Sequence, residues 1–207
     1  MAGICKRLTL IAVMALTYPI IALADAYDDG ATAFGRKDYE AAMRYWQPLA
    51  EGENARAQAG LAAMYHGGLG VKQDYTMALR WCQRAARHGE PQAQYLLGSM
   101  YRDGKGVPKD LTRALEWYRK AADQGLHWAQ YSLGLMYHMG EGVPSDQLQA
   151  YQWLTLASLG RDKDDLQVQA TARYLLDTVS TRLTPQQIEQ VKQRVSAWKA
   201  TQPVRDK

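Results

Sequence analysis

The feature that most constrains this chain is an internal repeat with a period of 36 residues. Three stretches align at this shift, and the same residue type recurs in all three at a fixed set of positions. In the first copy these positions are Ala57, Leu61, Met64, Tyr65, Gly68, Gly70, Val71, Asp74, Ala78, Trp81 and Ala85. A fixed period of this length is typical of stacked repeats, because each unit buries its apolar face only against its neighbours.

Each copy predicts a pair of helices joined by a turn. At about 100° per residue, Ala57, Leu61 and Met64 share one helix face, which predicts the core side of a first helix. Gly68 and its copies stand where a helix ends in a left-handed residue. Asp74 and its copies precede a second apolar run, whose free N–H groups they are expected to cap. This second helix carries the repeated tryptophan, which is Trp117 in the second copy and is expected to be core. It is expected to end at a glycine in the first two copies, at positions 89 and 125.

The repeated pattern A-Q-x-x-L-x-x-M-Y-x-x-G-x-G-V-x-x-D-x-x-x-A-x-x-W-x-x-x-A resembles the Sel1-like repeat, a relative of the tetratricopeptide repeat. A half copy precedes it, because residues 37–45 align with residues 73–81 at the same shift. The resemblance implies an all-α fold, a right-handed α-solenoid of helix-turn-helix repeats with C-terminal capping helices. The expected organisation is a signal peptide over 1–24, a partial repeat over 25–54, three repeats over 55–160 and capping helices over 161–207.

The N-terminus predicts export. Lys6 and Arg7 precede an apolar run that closes on Ala22, Leu23 and Ala24, which matches a secretory signal peptide cleaved after Ala24. An uncleaved anchor is the alternative, although a proline interrupts the run. Export places the protein in the periplasm or outside the cell. No integral membrane span is expected after cleavage.

The charge balance and the cysteines exclude several function classes. Removal of 1–24, with two basic and no acidic residues, lowers the formal charge from +4 to +2, which favours neither nucleic acid nor a charged membrane surface. Cys5 leaves with the signal peptide, and Cys82 is expected to pack as a small apolar residue, with a redox role or an intermolecular disulfide as the alternative. The histidines lack metal-ligand spacing, and no phosphate loop or dinucleotide motif is present. We therefore expect no cofactor and no metal.

Two C-terminal helices are expected to cover the last repeat. The first is predicted over 166–181, and the second begins at Thr184, which a capping box and a proline mark, and runs to about residue 200. Polar positions of the earlier copies become Leu156 and Leu159 in the third, so these two leucines need a cover. The charged residues 161–165 are expected to form a linker, and their acidic cluster, which includes Asp165, is expected to be a solvated loop, with a calcium site as the alternative.

The residues that do not repeat carry the functional expectation. One face of each first helix varies between copies, and in solenoids the first helices line a concave side that binds partners. The groove candidates on this face are Arg56, His66, Tyr95, Arg102, Trp128, Tyr131 and His138. Tyr, Trp and Arg are common interface anchors. The alternative is that Tyr95 and Tyr131 pack between neighbouring hairpins.

The function expected from these patterns is non-catalytic binding of an unidentified protein or peptide of the cell envelope, as a scaffold or adaptor. The competing interpretation is a penicillin-binding or β-lactamase-like hydrolase, because Ser196 and Lys199 fit the S-x-x-K motif. That motif requires S-D-N and K-T-G partners on another architecture, and neither sequence occurs here. An enzyme is therefore not expected.

Overall fold

The computed structural model describes residues 26–160 and 165–201, with side chains described as far as residue 198. All regular elements in these ranges are helical. They are α1 (26–35), α2 (Tyr39–Glu51), α3 (Ala55–Gly67), α4 (Tyr75–Arg87), α5 (Pro91–Asp103), α6 (Leu111–Asp123), α7 (His127–Met139), α8 (Gln147–Ala157), α9 (Leu166–Ser180) and α10 (Pro185–Thr201). Among these described helices, none combines the length and the apolar character needed to cross a membrane. The predicted signal peptide lies outside the described residues.

The chain divides into two compact units, Met1–His88 and Gly89–Lys207. In the first unit, α3 packs on α4 and also on α2. In the second unit, α5 pairs with α6 and α7 pairs with α8, while α6 and α7 join the two hairpins. The predicted all-α architecture of stacked helix hairpins is confirmed.

The turns between paired helices follow the predicted glycine pattern. Gly68, Gly104 and Gly140 all end a first helix in the left-handed region, with φ of 65°, 71° and 76°. Gly142 is also left-handed, and a Cβ there would lie 2.7 Å from the carbonyl oxygen of Leu111, at the start of the preceding second helix. Each turn thus requires glycine because its backbone is left-handed. The turn at Gly142 also requires glycine because it lies close to a neighbouring hairpin.

Aspartate side chains begin the second helices, as the sequence predicts. Asp74 accepts hydrogen bonds from the N–H groups of two residues in the first turn of α4, and Asp110 and Asp146 each accept one at the start of α6 and α8. At α10, the N–H of Gln187 donates to Thr184 Oγ1 while the Gln187 side chain accepts from the Thr184 N–H. This reciprocal pair is the predicted capping box.

A buried glutamine at a repeated position joins a first helix to the second helix that precedes it, once within each unit. Gln58 Nε2 donates to the Ala50 carbonyl oxygen at 3.0 Å in the first unit. Gln130 Nε2 donates to the Ala122 carbonyl oxygen at 3.2 Å in the second unit. Both acceptors lie in the last turn of a second helix, where carbonyl groups lack intrahelical partners. Within each unit, the glutamine therefore links a first helix to the second helix that comes before it.

The prediction that the C-terminal helices cover two leucines of the last repeat is only partly correct. Helices α9 and α10 both pack on α8, and Leu156 of α8 is 2% exposed. The expectation for Leu159 is wrong, because this side chain is 38% exposed. Helix α8 ends at Ala157, two positions earlier in the repeat than α4 and α6, so Leu159 lies beyond the helix instead of on its packed face.

The repeated tryptophans are not equally buried. Trp81 and Trp153 are 7% and 4% exposed and belong to the core. Trp117, which the repeat predicts to be core as well, is only half-buried. The Nζ atom of Lys120 lies 4.0 Å from the centroid of its ring, so a cation covers the indole face there.

Candidate functional site

The seven candidate groove residues fall in both units. Arg56 and His66 belong to the first unit, and Tyr95, Arg102, Trp128, Tyr131 and His138 belong to the second. They lie on α3, α5 and α7, which are the first helices of their hairpins.

In the first unit, Arg56 lies against an aromatic cluster of α1 and α2. Its guanidinium carbon is 4.0 Å from the centroid of the Tyr27 ring, and the Arg56 side chain is exposed. The Tyr27 ring in turn stacks on Trp46, with centroids 5.9 Å apart. Trp46 is 4% exposed and fits against Gly60, where a Cβ would lie 2.6 Å from the indole. Arg56 therefore covers the edge of a core cluster while its charged end stays accessible.

The two candidate histidines contact the second helix of their own hairpin. The His66 ring meets the Tyr75 ring edge-on at a centroid distance of 5.4 Å. His138 Nδ1 lies 2.8 Å from Oε1 of Gln147. Tyr75 and Gln147 are the first residues of α4 and α8, so both histidines brace the turn between paired helices.

In the second unit, four of the candidates form what we call the aromatic face: Tyr95, Arg102, Trp128 and Tyr131. All four side chains are half-buried. The rings of Trp128 and Tyr131 meet edge to face, with centroids 6.4 Å apart and planes at 85°. Burial raises the pKa of Tyr131, and the neighbouring Tyr95 adds to this shift. Tyr95 and Tyr131 occupy the same position of successive repeats.

Tyr118 of α6 forms the floor beneath the aromatic face, and sequence reasoning missed this role. Its side chain is fully buried, and its ring lies 5.5 Å from that of Tyr95 between centroids. Its hydroxyl is 3.0 Å from Ser99 Oγ. Burial raises the pKa of Tyr118 to about 12, although the Ser99 hydrogen bond opposes the shift. Tyr95 therefore packs on a buried neighbour of its own hairpin and keeps one side accessible.

A small residue opposite Tyr118 is the signal that could have revealed it. A Cβ on Gly98 would lie 2.7 Å from the Tyr118 ring, so the ring occupies the space that a side chain would need. The third repeat has Gly134 against Leu154 in the same arrangement, at 2.6 Å. A glycine that recurs at the same position inside a helix in two successive repeats indicates that a bulky residue packs against it.

Arg102 supplies the positive charge of the aromatic face. Its Nε donates to Asp103 Oδ1 at 2.8 Å, and Lys105 Nζ lies 3.8 Å from Oδ2 of the same carboxylate. The hydrogen bond to Asp103 raises the pKa of Arg102 above its usual value, while burial opposes it. Two cations thus share one carboxylate, and the Arg102 side chain keeps 37% of its surface exposed. The face as a whole offers aromatic rings, phenol hydroxyls and a guanidinium to a partner.

A family model described as the Sel1 repeat matches this chain four times, over residues 20–54, 55–90, 91–126 and 129–162. The chain belongs to the Sel1 repeat family. Two solved structures support this assignment. A Sel1 repeat protein from Oxalobacter formigenes is 32% identical with a TM-score of 0.60, and the match covers 67% of this chain and 57% of that one. The protective antigen c5321, present in uropathogenic Escherichia coli strains and displaying an SLR fold, is 35% identical with a TM-score of 0.66, and the match covers 77% of this chain and 32% of that one.

This Sel1 repeat chain therefore spans only part of the length of both structural relatives. No protein with a curated description matches it. The Sel1 repeat is an α-solenoid fold, and it serves in general as a non-catalytic scaffold for protein–protein interaction. The predicted family and fold class are confirmed, while the seven groove residues stay predictions.

Proposed function

We propose that this Sel1 repeat chain is a non-catalytic scaffold that binds a protein or peptide of the cell envelope through the aromatic face. The observation that carries the proposal is the half-burial of Tyr95, Trp128 and Tyr131. Apolar residues at the repeated positions of the same helices, such as Leu97 and Leu133, are almost fully buried. Large aromatic rings held in place by packing, with one side left open, are the usual anchors of protein interfaces.

A binding experiment with matched variants tests the proposal. The mature chain is immobilised and incubated with envelope extract, and a recovered partner is then titrated against the wild type and each variant. Replacing Trp128 or Tyr131 with Ala should weaken binding by about 1 to 3 kcal/mol. Trp117→Ala is the matched control, because it removes another half-buried tryptophan, which lies on the second helix α6 and not on the first helices that carry this face. Equal binding by Trp128→Ala and the wild type would refute the proposed site.

Export is part of the proposal and rests on the predicted signal peptide. Osmotic shock should release the protein, and its intact mass should correspond to a chain that begins at Asp25. A native protein that retains residues 1–24 in the membrane fraction would contradict this.

The same preparation tests the hydrolase alternative. The purified mature chain should neither turn over nitrocefin nor become labelled by a fluorescent penicillin. Ser196, the candidate nucleophile of that alternative, is exposed on α10. Labelling that disappears in Ser196→Ala would favour the hydrolase over the scaffold.

A further inference from the structure

A direct contact joins the start of α7 to the start of α9 within the second unit. His127 Nδ1 lies 2.6 Å from Asp165 Oδ2, although the two residues are 38 positions apart in sequence. The side chains are 25% and 14% exposed, so this pair is largely shielded from water. His127 is the first residue of α7, and Asp165 immediately precedes α9. The expectation that Asp165 belongs to a solvated loop is therefore wrong.

The carboxylate of Asp165 serves this contact instead of its ordinary local role. An aspartate directly before a helix usually accepts a hydrogen bond from an N–H of the first turn. The Asp165 side chain makes no such capping bond to α9 and points to His127 instead. A hydrogen bond to a charged acceptor is among the stronger ones, which offsets the lost cap.

The chain also leaves space for the pair. A Cβ on Gly160 would lie 2.9 Å from Asp165 Oδ2 and 3.1 Å from His127 Nδ1. Any larger residue at this position would push the two partners apart. Gly160 thus has a steric role at the end of the third repeat.

Helix α10 approaches the turn just before α7. The Trp198 ring lies 3.9 Å from where a Cβ of Gly125 would be, and Gly125 stands two residues before His127. Helix α9 also packs directly on α7. The C-terminal helices therefore touch the first turn of α7 and the turn before it, in addition to covering α8.

From these contacts we infer that His127 is a positioning residue: its bond to Asp165 fixes the first turn of α7 and thereby the placement of Trp128 and Tyr131. Trp128 follows His127 directly, and Tyr131 lies one helical turn further on. The C-terminal helices are then a structural part of the aromatic face and not only an end cap. The importance of this positioning for binding rests on the proposed function, whereas the positioning itself does not.

The unmodified chain provides the first test. A carboxylate can only accept a hydrogen bond, so in this pair the imidazole is the donor, through Nδ1–H. Nitrogen-15 NMR of the histidine ring should show a protonated Nδ1 for His127, assigned with His127→Gln. An unprotonated Nδ1 at neutral pH would overturn the inference.

Variants of Asp165 provide the second test, with the indole N–H resonance of Trp128 and amide hydrogen exchange in α9 as readouts. Asp165→Ala should shift the Trp128 resonance and speed exchange in the first turns of α9 by about tenfold or more, the effect of losing a charged hydrogen bond. Asp165→Asn should retain both properties, because its amide oxygen can accept the same bond. Asp177→Ala is the matched control, since it removes an exposed carboxylate from the same helix.

A Trp128 resonance that moves no more in Asp165→Ala than in Asp177→Ala would overturn the inference. If Asp165→Ala does not fold, the protonation of His127 in the unmodified chain decides the matter. None of these readouts requires a partner, so their failure would leave the proposed binding function standing. A chain that binds nothing would equally leave the positioning role intact.

Discussion

The packing of Gly98 against Tyr118 predicts that Gly98→Ala destabilises the protein when the Tyr118 ring is present and stabilises it when the ring is absent. In Gly98→Ala, the new Cβ would lie 2.7 and 2.9 Å from two ring carbons of Tyr118 and 3.2 Å from the Ala114 carbonyl oxygen. The ring cannot retreat easily, because it is fully buried and its hydroxyl is held by Ser99. Overpacking of this kind costs about 2 to 3 kcal/mol. Alanine regains about 1 kcal/mol through its higher helix propensity, so the net loss is about 1 to 2 kcal/mol.

Removing the ring should reverse the effect. Tyr118→Ala alone should cost about 3 to 5 kcal/mol, as expected for emptying a buried aromatic site. In that background the Cβ of Gly98→Ala no longer meets a ring, so the helix propensity of alanine dominates. The substitution should then stabilise the protein by about 0.5 to 1 kcal/mol. The two changes are thus coupled by about 1.5 to 3 kcal/mol.

Urea unfolding of the wild type, both single variants and the double variant, followed by circular dichroism, measures this coupling. Gly35→Ala is the control for helix propensity alone, because a Cβ at this helical glycine meets nothing within 4 Å. It should leave the stability unchanged or raise it slightly. The reasoning is refuted if Gly98→Ala changes the free energy of unfolding equally in both backgrounds, or if it stabilises the wild type.

Four further outcomes follow from the structure. Gly104→Val should lower the free energy of unfolding by more than about 1 kcal/mol, because φ there is 71°, and an unchanged urea midpoint would contradict this. Trp153→Ala should cost about 3 to 5 kcal/mol and the half-buried Trp128→Ala clearly less, and equal losses would place Trp128 in the core. The raised pKa of Tyr118, about 12, stabilises the fold below pH of about 10, and this contribution is lost as the pH rises through about 12. Alkaline unfolding should therefore occur at higher pH in Tyr118→Phe, and an unchanged midpoint would argue against a buried phenol. Deletion of α9 and α10 should uncover Leu156 and cause aggregation, whereas a monomeric truncated chain with an unchanged melting temperature would show that these helices are not a cap.

The features predicted correctly from sequence are those that local rules decide. The left-handed turn at Gly104 follows from the backbone freedom of glycine, and the start of α6 follows from the capping capacity of Asp110. Both need only a few neighbouring residues. The 36-residue period then repeats these local features, because the same turn and the same cap recur in every copy. Repetition supplied the fold class in this way.

The features predicted wrongly depend either on a detail in which one copy of the repeat differs from the others or on a contact with a distant segment. The burial of Trp117 depends on what lies over its ring, and its position in the repeat does not determine this. The exposure of Leu159 depends on where α8 ends, which occurs earlier than in the other second helices. The partner of Asp165 is 38 residues away, and the charged sequence around it favours a solvated loop. No local rule reports such a pairing.

Residues that vary between repeats are of two kinds, and the structure separates them. The first kind is shown by the position of Gly98 on the first helix and the position of Tyr118 on the second. In the three repeats these two positions carry Ala62 with Cys82, Gly98 with Tyr118, and Gly134 with Leu154, and all six residues are buried. Because the smallest residue faces the largest, this variation keeps the volume of each hairpin filled and requires no partner. Tyr95, Trp128 and Tyr131 vary while remaining half-buried. Packing within the hairpin does not account for the exposed sides of these three rings. The argument for a binding site therefore rests on this partial exposure and not on sequence variation alone.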